Sequence, residues 1–124
     1  MATHVHLVSH DGVFQEIEAR QHRLTADEPL SNHGSDKGPA PYELLLASLA
    51  ACSSATLRLY ADRKGWTLGT IKADLTFSRD KDGNERIERV IGFSERLTDE
   101  QMERIRDIIE KTPVTKTLKR GTPI

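Results

Sequence analysis

The sequence of 124 residues contains a single cysteine, Cys52. One cysteine cannot form an intrachain disulfide, nor the paired ligands of a Cys-x-x-Cys metal site. Apolar residues are also few: the hydrophobic set makes up 36% of the chain, and even with its eight glycines the share stays below the roughly 45–50% of ordinary globular domains. A monomer with so small a core would be only marginally stable. We therefore expect a subunit interface to bury further surface.

An excess of charge of one sign is also missing. The chain has 18 Lys and Arg against 19 Asp and Glu, a net charge of −1, which argues against a nucleic-acid partner held by bulk charge. No uninterrupted apolar run approaches the ~20 residues of a membrane span, so no membrane partner is expected. The first residues, MATHVHLVSHDG, hold no apolar signal core. These absences predict a cytoplasmic protein.

The N-terminal part of the chain is rich in β-prone segments. Residues 3–9 and 13–19 flank the turn-forming pair Asp11-Gly12, and a third extended piece follows at about 21–26. The next stretch, DEPLSNHGSDKGPAP, is typical of a loop, in which Asp27 and Glu28 have the positions of capping residues. It lacks the Gly-Lys-Ser/Thr ending of a phosphate-binding P-loop.

The strongest helix signal of the chain runs from Pro41 to Lys64. Pro41 suits a first helical turn, and Gly65 suits the stop that follows the last turn. Between Leu44 and Cys52 only one residue is polar, and a helix that is apolar on all sides is buried on all sides. Small residues around Cys52 would let another backbone approach closely. The pattern predicts a central core helix packed tightly against another helix.

A second β-hairpin is predicted after this helix. Apolar residues alternate along LGTIKADLTFS, a turn forms around 81–84, and the chain returns along ERIERVIGFSE. On the returning strand Ile87, Ile91 and Phe93 share one face, which Arg89 interrupts.

Two helices complete the predicted order. Thr98 begins the first of them, with Gln101 three residues later as a capping box. Thr112 and Pro113 then have the pattern of a cap and first residue of a short helical turn. The order of β-hairpin, loop, buried helix, β-hairpin and helices predicts an α+β fold, with residues 1–124 as a single domain.

Cys52 is the first candidate for chemistry. A lone cysteine in an apolar helix can be an inert core residue, since cysteine packs as a small hydrophobe. It can also be a thiolate nucleophile, but on this apolar face it would need a cation from another element, such as Arg20 or Arg23. His4 and His6 share a strand face without a matching third ligand, so they are interpreted as surface imidazoles and no metal site is expected.

Three stretches of the chain match one known family. They are HRLTADEP at 22–29, GSDKGPAPYELLLASLAAC at 34–52 with its continuation TLRLYADRKGW, and KTPVTKTL at 111–118. On these residues the chain resembles the OsmC/Ohr family of osmotically induced and organic hydroperoxide resistance proteins. The resemblance implies an OsmC-like fold and an intertwined homodimer, with the central helices buried between wrapped sheets. It further implies thiol-dependent reduction of organic hydroperoxides without a cofactor, and Cys52 matches the family's peroxide-reactive cysteine.

Two positions depart from the family pattern. Thr112 stands where the family has its second cysteine, so it can keep a capping role but cannot form the disulfide. An external thiol reductant would then be needed. The family's catalytic glutamate stands ten residues before the reactive cysteine, where this chain has Tyr42, and Glu43 is nine before it. Nine helical residues rise ~13.5 Å and turn ~180°, so Glu43 could reach the cysteine only from the partner subunit.

Three interpretations stay open. The first is a one-cysteine hydroperoxide reductase, with Cys52 as nucleophile, Arg20 or Arg23 stabilising the thiolate, and Glu43 orienting that arginine. The second is a non-catalytic protein of the same fold that binds a small apolar or acyl ligand at the dimer interface. The third is a structural or interaction protein in which Cys52 is an inert core thiol.

Overall fold

The computed structural model describes all residues from 1 to 124. It confirms the α+β class and the predicted order of elements. Its strands and helices are β1 His6–Val8, β2 Gln15–Ala19, β3 His22–Ala26, α1 Pro41–Lys64, β4 Ile71–Arg79, β5 Glu85–Phe93, α2 Asp99–Ile109 and α3 Pro113–Arg120, with one 3-10 turn at Leu30–Asn32. By its internal contacts the chain divides into two units, Met1–Leu45 and Leu46–Ile124.

The first unit contains an antiparallel sheet in the order β1-β2-β3. Ile17 at its centre pairs with Leu7 on one side and Leu24 on the other. The connection between β1 and β2 spans residues 9–14, so it is wider than the tight Asp-Gly hairpin that the sequence predicts. All three residues of β1 are exposed, so a longer pairing of β1 with β2 would bury little additional apolar surface.

The loop between β3 and α1 is tied to one buried carboxylate. Asp27 accepts backbone N–H hydrogen bonds from Glu28 at 2.8 Å, Lys37 at 3.1 Å and Ser35 at 3.3 Å, in agreement with its expected turn role. Burial opposes ionisation of this carboxyl, but the three donors outweigh it and hold the pKa of Asp27 below its ordinary value of 3.8. Gly34 is required here, because a Cβ at this position would lie 1.8 Å from the Glu28 carbonyl oxygen.

In the second unit, α1 buries one stripe of side chains. Leu49, Ser53, Leu57 and Ala61 are buried at intervals of four residues, whereas Leu59 is 64% exposed. The core around this stripe includes Leu57, Ala61, Leu68 and Ile105, and further apolar residues of β4, β5 and α2 pack against it. Within one chain the helix is therefore covered on one side, because these elements supply apolar surface for one stripe only.

By length and composition alone, α1 could also cross a membrane. The uninterrupted apolar run 44–52 is too short for this, but the complete helix is long enough. Core helices of soluble proteins have the same length and composition. Within the single chain 22% of the most apolar 18-residue window of α1 is buried, and Leu49, Leu57 and Ala61 are the buried apolar residues of the helix.

The predicted hairpin of β4 and β5 is confirmed, with protected and exposed residues alternating along both strands. Leu75 of β4 pairs with Arg89 of β5, and both belong to the alternating positions that are partly protected from solvent. The capping box of α2 is confirmed: the Gln101 N–H donates to Thr98 Oγ1 at 3.1 Å, and the Thr98 N–H donates to Gln101 Oε1 at 2.9 Å. These elements place the end of α2 and the start of α3 beside the middle of α1 and β5.

Candidate functional site

The Cys52 thiol lies at the N-terminus of α3. Cys52 is partly buried, and the backbone N–H of Val114, the second residue of α3, donates to its Sγ at 3.5 Å. The first N–H groups of a helix have no acceptor within that helix. The sulfur of Cys52 therefore acts as the hydrogen-bond acceptor that a capping side chain provides at most helix N-termini. The positive end of the α3 dipole favours negative charge on this sulfur.

Thr112 occupies the N-cap position of α3 but does not cap it through its side chain. Its backbone is extended, with φ −67° and ψ 148°, and no side-chain hydrogen bond to the helix is present. The fully buried Thr112 hydroxyl instead lies 2.6 Å from the hydroxyl of Thr115. The predicted capping hydrogen bond is thus wrong, because the neighbouring hydroxyl engages Thr112 while Cys52 meets the Val114 N–H.

Arg89 contributes a nearly buried guanidinium next to these residues. Its side chain is 13% exposed. Nη1 donates to Ser53 Oγ at 2.8 Å and to Thr115 Oγ1 at 2.9 Å, and Nη2 donates to the Ile109 carbonyl at 3.2 Å. Sequence reasoning did not select Arg89 as a site residue, although its charge on the protected face of β5 was the signal that could have done so.

We call Ser53, Arg89, Thr112 and Thr115 the polar cluster. Ser53 also donates to the Leu49 carbonyl at 2.7 Å, and no buried side-chain nitrogen or oxygen of the chain lacks a partner. A buried network with all its members bonded is rigid, since each lost bond would leave a desolvated polar group. The cluster thus fixes α1, α3, β5 and the end of α2 relative to one another beside Cys52.

One carboxylate lies at the edge of the polar cluster. Glu110 Oε1 is 3.8 Å from Arg89 Nη2, and the other carboxylate oxygen bonds with Lys119. The hydrogen bond from Lys119 lowers the pKa of Glu110, and the charges of Lys119 and Arg89 act in the same direction. Glu110 is therefore ionised at neutral pH and faces the outer nitrogen of Arg89.

The two arginines predicted to assist Cys52 lie in the first unit. Arg20 stands in the β2–β3 turn with φ 57°, and its Nη1 is 3.5 Å from the Gln21 side-chain oxygen. Arg23, on β3, is 87% exposed and lies 3.7 Å from a Glu18 oxygen. Since Cys52 belongs to the second unit, the contact of either arginine with the thiol stays a prediction.

Glu43 has a local partner at the start of α1. Its Oε1 accepts the Ala40 N–H at 2.8 Å, as a residue of the first helical turn does in one half of a capping box. The orienting role predicted for Glu43 stays a prediction. Across the chain, no group of three or more His, Cys, Asp or Glu residues is arranged to hold a metal ion.

Known proteins supply the context for this geometry. A family model described as OsmC-like protein matches residues 34–124, which include Cys52, Arg89 and Thr112. No curated protein matches the chain.

Solved structures share the fold. A Psychrobacter arcticus protein named for osmotic stress induction and detoxification response is 21% identical, with TM-score 0.82, covering 94% of this chain and 88% of its own. An OsmC-like protein from Mycoplasma pneumoniae is 25% identical, with TM-score 0.75 and coverage of 96% and 88%. The organic hydroperoxide resistance protein OhrB of Bacillus subtilis is 20% identical, with TM-score 0.65 and coverage of 98% and 93%.

Proposed function

Because this chain belongs to the OsmC-like protein family and has the fold of OsmC/Ohr stress-response proteins, we propose that it is a one-cysteine organic hydroperoxide reductase. The observation that carries the proposal is the Cys52 sulfur at the N-terminus of α3, where it accepts the Val114 N–H at 3.5 Å. An inert core thiol needs no such donor, whereas a nucleophilic thiolate is stabilised by one.

The oxidative step uses the thiolate of Cys52. Its sulfur attacks the terminal peroxide oxygen of ROOH, the O–O bond breaks, and the alkoxide leaves and takes up a proton as ROH. Cys52 becomes a sulfenic acid, so sulfur is oxidised by two electrons and the peroxide is reduced by two. The Val114 N–H and the α3 N-terminus stabilise the negative charge on sulfur before the attack.

The reductive step needs thiols from outside the chain, since Cys52 is the only cysteine. A first thiol attacks the sulfenic sulfur, forms a mixed disulfide and releases water. A second thiol attacks that disulfide, which yields a free disulfide and restores the Cys52 thiol. Thr112 cannot take the place of either thiol.

The remaining proposed roles belong to the first unit and to a second copy of the chain. Arg20 or Arg23 would stabilise the Cys52 thiolate, and Glu43 would orient that arginine. Because Glu43 precedes Cys52 by nine helical residues, its carboxylate would act from the partner subunit of a homodimer.

Stopped-flow oxidation of the reduced protein by an alkyl hydroperoxide tests the proposal. We expect Cys52 to be oxidised at least about a hundredfold faster than free cysteine at the same pH, the factor that one well-placed donor can supply. Cys52→Ser is the matched control and should show no fast phase. A rate equal to that of free cysteine, with alkylation of Cys52 only after unfolding, would instead establish an inert core thiol.

A further inference from the structure

We propose that Arg89 is a positioning residue for Cys52, through which β5 sets the contact between the thiol and the N-terminus of α3. The inference rests on the proposed function of Cys52 and deepens it, because it assigns a residue that aims the stabilising N–H group. Arg89 acts through Ser53 and Thr115.

The two hydrogen bonds of Arg89 Nη1 end on the direct neighbours of Cys52 and Val114. Ser53 follows Cys52 in the chain, and Thr115 follows Val114. One nitrogen atom thus holds the residue next to the sulfur and the residue next to its N–H donor, at 2.8 and 2.9 Å. A displacement of this atom changes the spacing of both backbones at the point where the Val114 N–H meets Sγ.

A guanidinium is suited to this task because its donors diverge from a rigid plane. While Nη1 bridges α1 and α3, Nη2 is held by the Ile109 carbonyl at the end of α2. A lysine ammonium in the same place has one nitrogen on a flexible stem and cannot hold all three acceptors in fixed directions. Geometry and charge can therefore be separated by Arg89→Lys.

The charge of Arg89 has to be considered separately, because a nearby cation also favours a thiolate. Arg89 Nη2 lies 3.8 Å from Glu110 Oε1, and the other carboxylate oxygen of Glu110 bonds with Lys119. Glu110 is the C-cap residue of α2, and Lys119 lies in the last turn of α3. The carboxylate offsets part of the guanidinium charge, and Arg89→Lys tests the positioning effect with the charge kept.

The experiment follows two signals of Cys52 across pH in the full-length protein. One is the rate of alkylation by iodoacetamide, which reports thiolate formation. The other is the amide proton shift of Val114 in NMR spectra, which responds to ionisation of the sulfur only while the N–H···S contact is present. We expect the Val114 amide of the wild-type protein to titrate together with the alkylation rate.

The variants are chosen to break one connection at a time. Arg89→Lys keeps the charge, Ser53→Ala removes the link to α1, and Thr115→Val removes the link to α3. We expect each to reduce the amplitude of the Val114 titration, and Arg89→Lys to slow alkylation at neutral pH by about tenfold, as the loss of one charge-assisted hydrogen bond would do. The control variant is Arg86→Met, because Arg86 is an exposed arginine of the same strand. This substitution should change neither signal.

The outcomes separate the two proposals. If the wild-type protein reacts with hydroperoxide no faster than free cysteine, the proposed function fails, while the Val114 titration still tests Arg89. If Arg89→Lys keeps the wild-type titration and alkylation profile, charge alone is sufficient and the positioning role is overturned. An unchanged Val114 titration in both Ser53→Ala and Thr115→Val overturns it as well, with helix content by circular dichroism showing that the variants are folded.

Discussion

Cys52 and Thr112 lie beside the same turn of helix. The Cys52 sulfur accepts the N–H of Val114, which is two residues after Thr112 in the chain. Thr112 is fully buried, and its hydroxyl is bonded to Thr115 and not to the helix backbone. Both residues are therefore close in the chain or in space to the first turn of α3, and only Cys52 is a thiol.

Thr112→Cys is expected to complete that pair. In the presence of an alkyl hydroperoxide the new thiol should attack the sulfenic acid of Cys52 and form an intrachain disulfide, because the Cys52 sulfur contacts the N–H of Val114 and position 112 is the N-cap of the same helix. Intact-mass spectrometry before and after alkylation would show both thiols protected. Thr117→Cys, on the exposed side of α3, is the control and should leave its thiol free. If the Thr112→Cys protein keeps both thiols alkylatable after oxidation, the proposed proximity is wrong.

At the scale of elements, some contacts follow from local sequence and others do not. The Thr98 and Gln101 capping box and the alternation along β4 and β5 were predicted because each signal lies within a few residues. The partners of Arg89 could not be predicted, since Ser53 and Thr115 are 36 and 26 positions away. The alternation of apolar and polar residues shows which face of β5 carries Arg89. It does not show which side chains of other elements contact that face. The hydrogen bond of Thr112 was wrongly predicted for a similar reason. Its position before Pro113 indicates a helix cap, but does not show that its hydroxyl bonds with Thr115 instead of the helix backbone.

The loop before α1 gives an element-scale test that depends on pH. The folded loop holds the pKa of Asp27 below 3.8, so its contribution to stability is complete above that value and is lost as pH falls through the lower folded pKa. Asp27→Asn should therefore lower the urea midpoint at neutral pH, and the difference from wild type should shrink below pH 3.8. Circular dichroism during urea titration measures both midpoints.

Asp82→Asn is the matched control for this test, since Asp82 is exposed at the tip of the β4–β5 turn and its side chain accepts no loop N–H of this kind. It should show little change in midpoint at either pH. A difference between Asp27→Asn and wild type that stays constant across the acid range would contradict the role assigned to the three N–H donors.

For the whole molecule, the main feature is apolar surface left uncovered by a single chain. Burial on α1 is confined to one stripe, and Leu59 on the same helix and Val90 on β5 are 64% and 68% exposed. Large exposed apolar surfaces are typical of subunit interfaces. Together with the small apolar fraction of the sequence, this supports the proposal of a homodimer with α1 at its centre.

Leu59→Arg tests the dimer. If Leu59 lies in the interface, a buried charge there should weaken association by about 2 kcal/mol or roughly thirtyfold, the cost of a disrupted hot spot. Sedimentation velocity over a dilution series would show wild-type dimer and more Leu59→Arg monomer at the same concentration. Lys81→Glu, at the exposed hairpin turn, should leave the distribution unchanged. A wild-type protein that stays monomeric throughout would refute the proposal.

The bonds of Arg89 also join the reactivity of Cys52 to the cohesion of the second unit. The same nitrogen that aligns the thiol with its donor holds β5 to two helices, and a second nitrogen holds a third. Because Ile91 and Phe93 of β5 also pack against the apolar core around Leu57, heating that breaks these bonds would loosen that core at the same time. Thiol reactivity and helix content are therefore expected to be lost in one thermal transition.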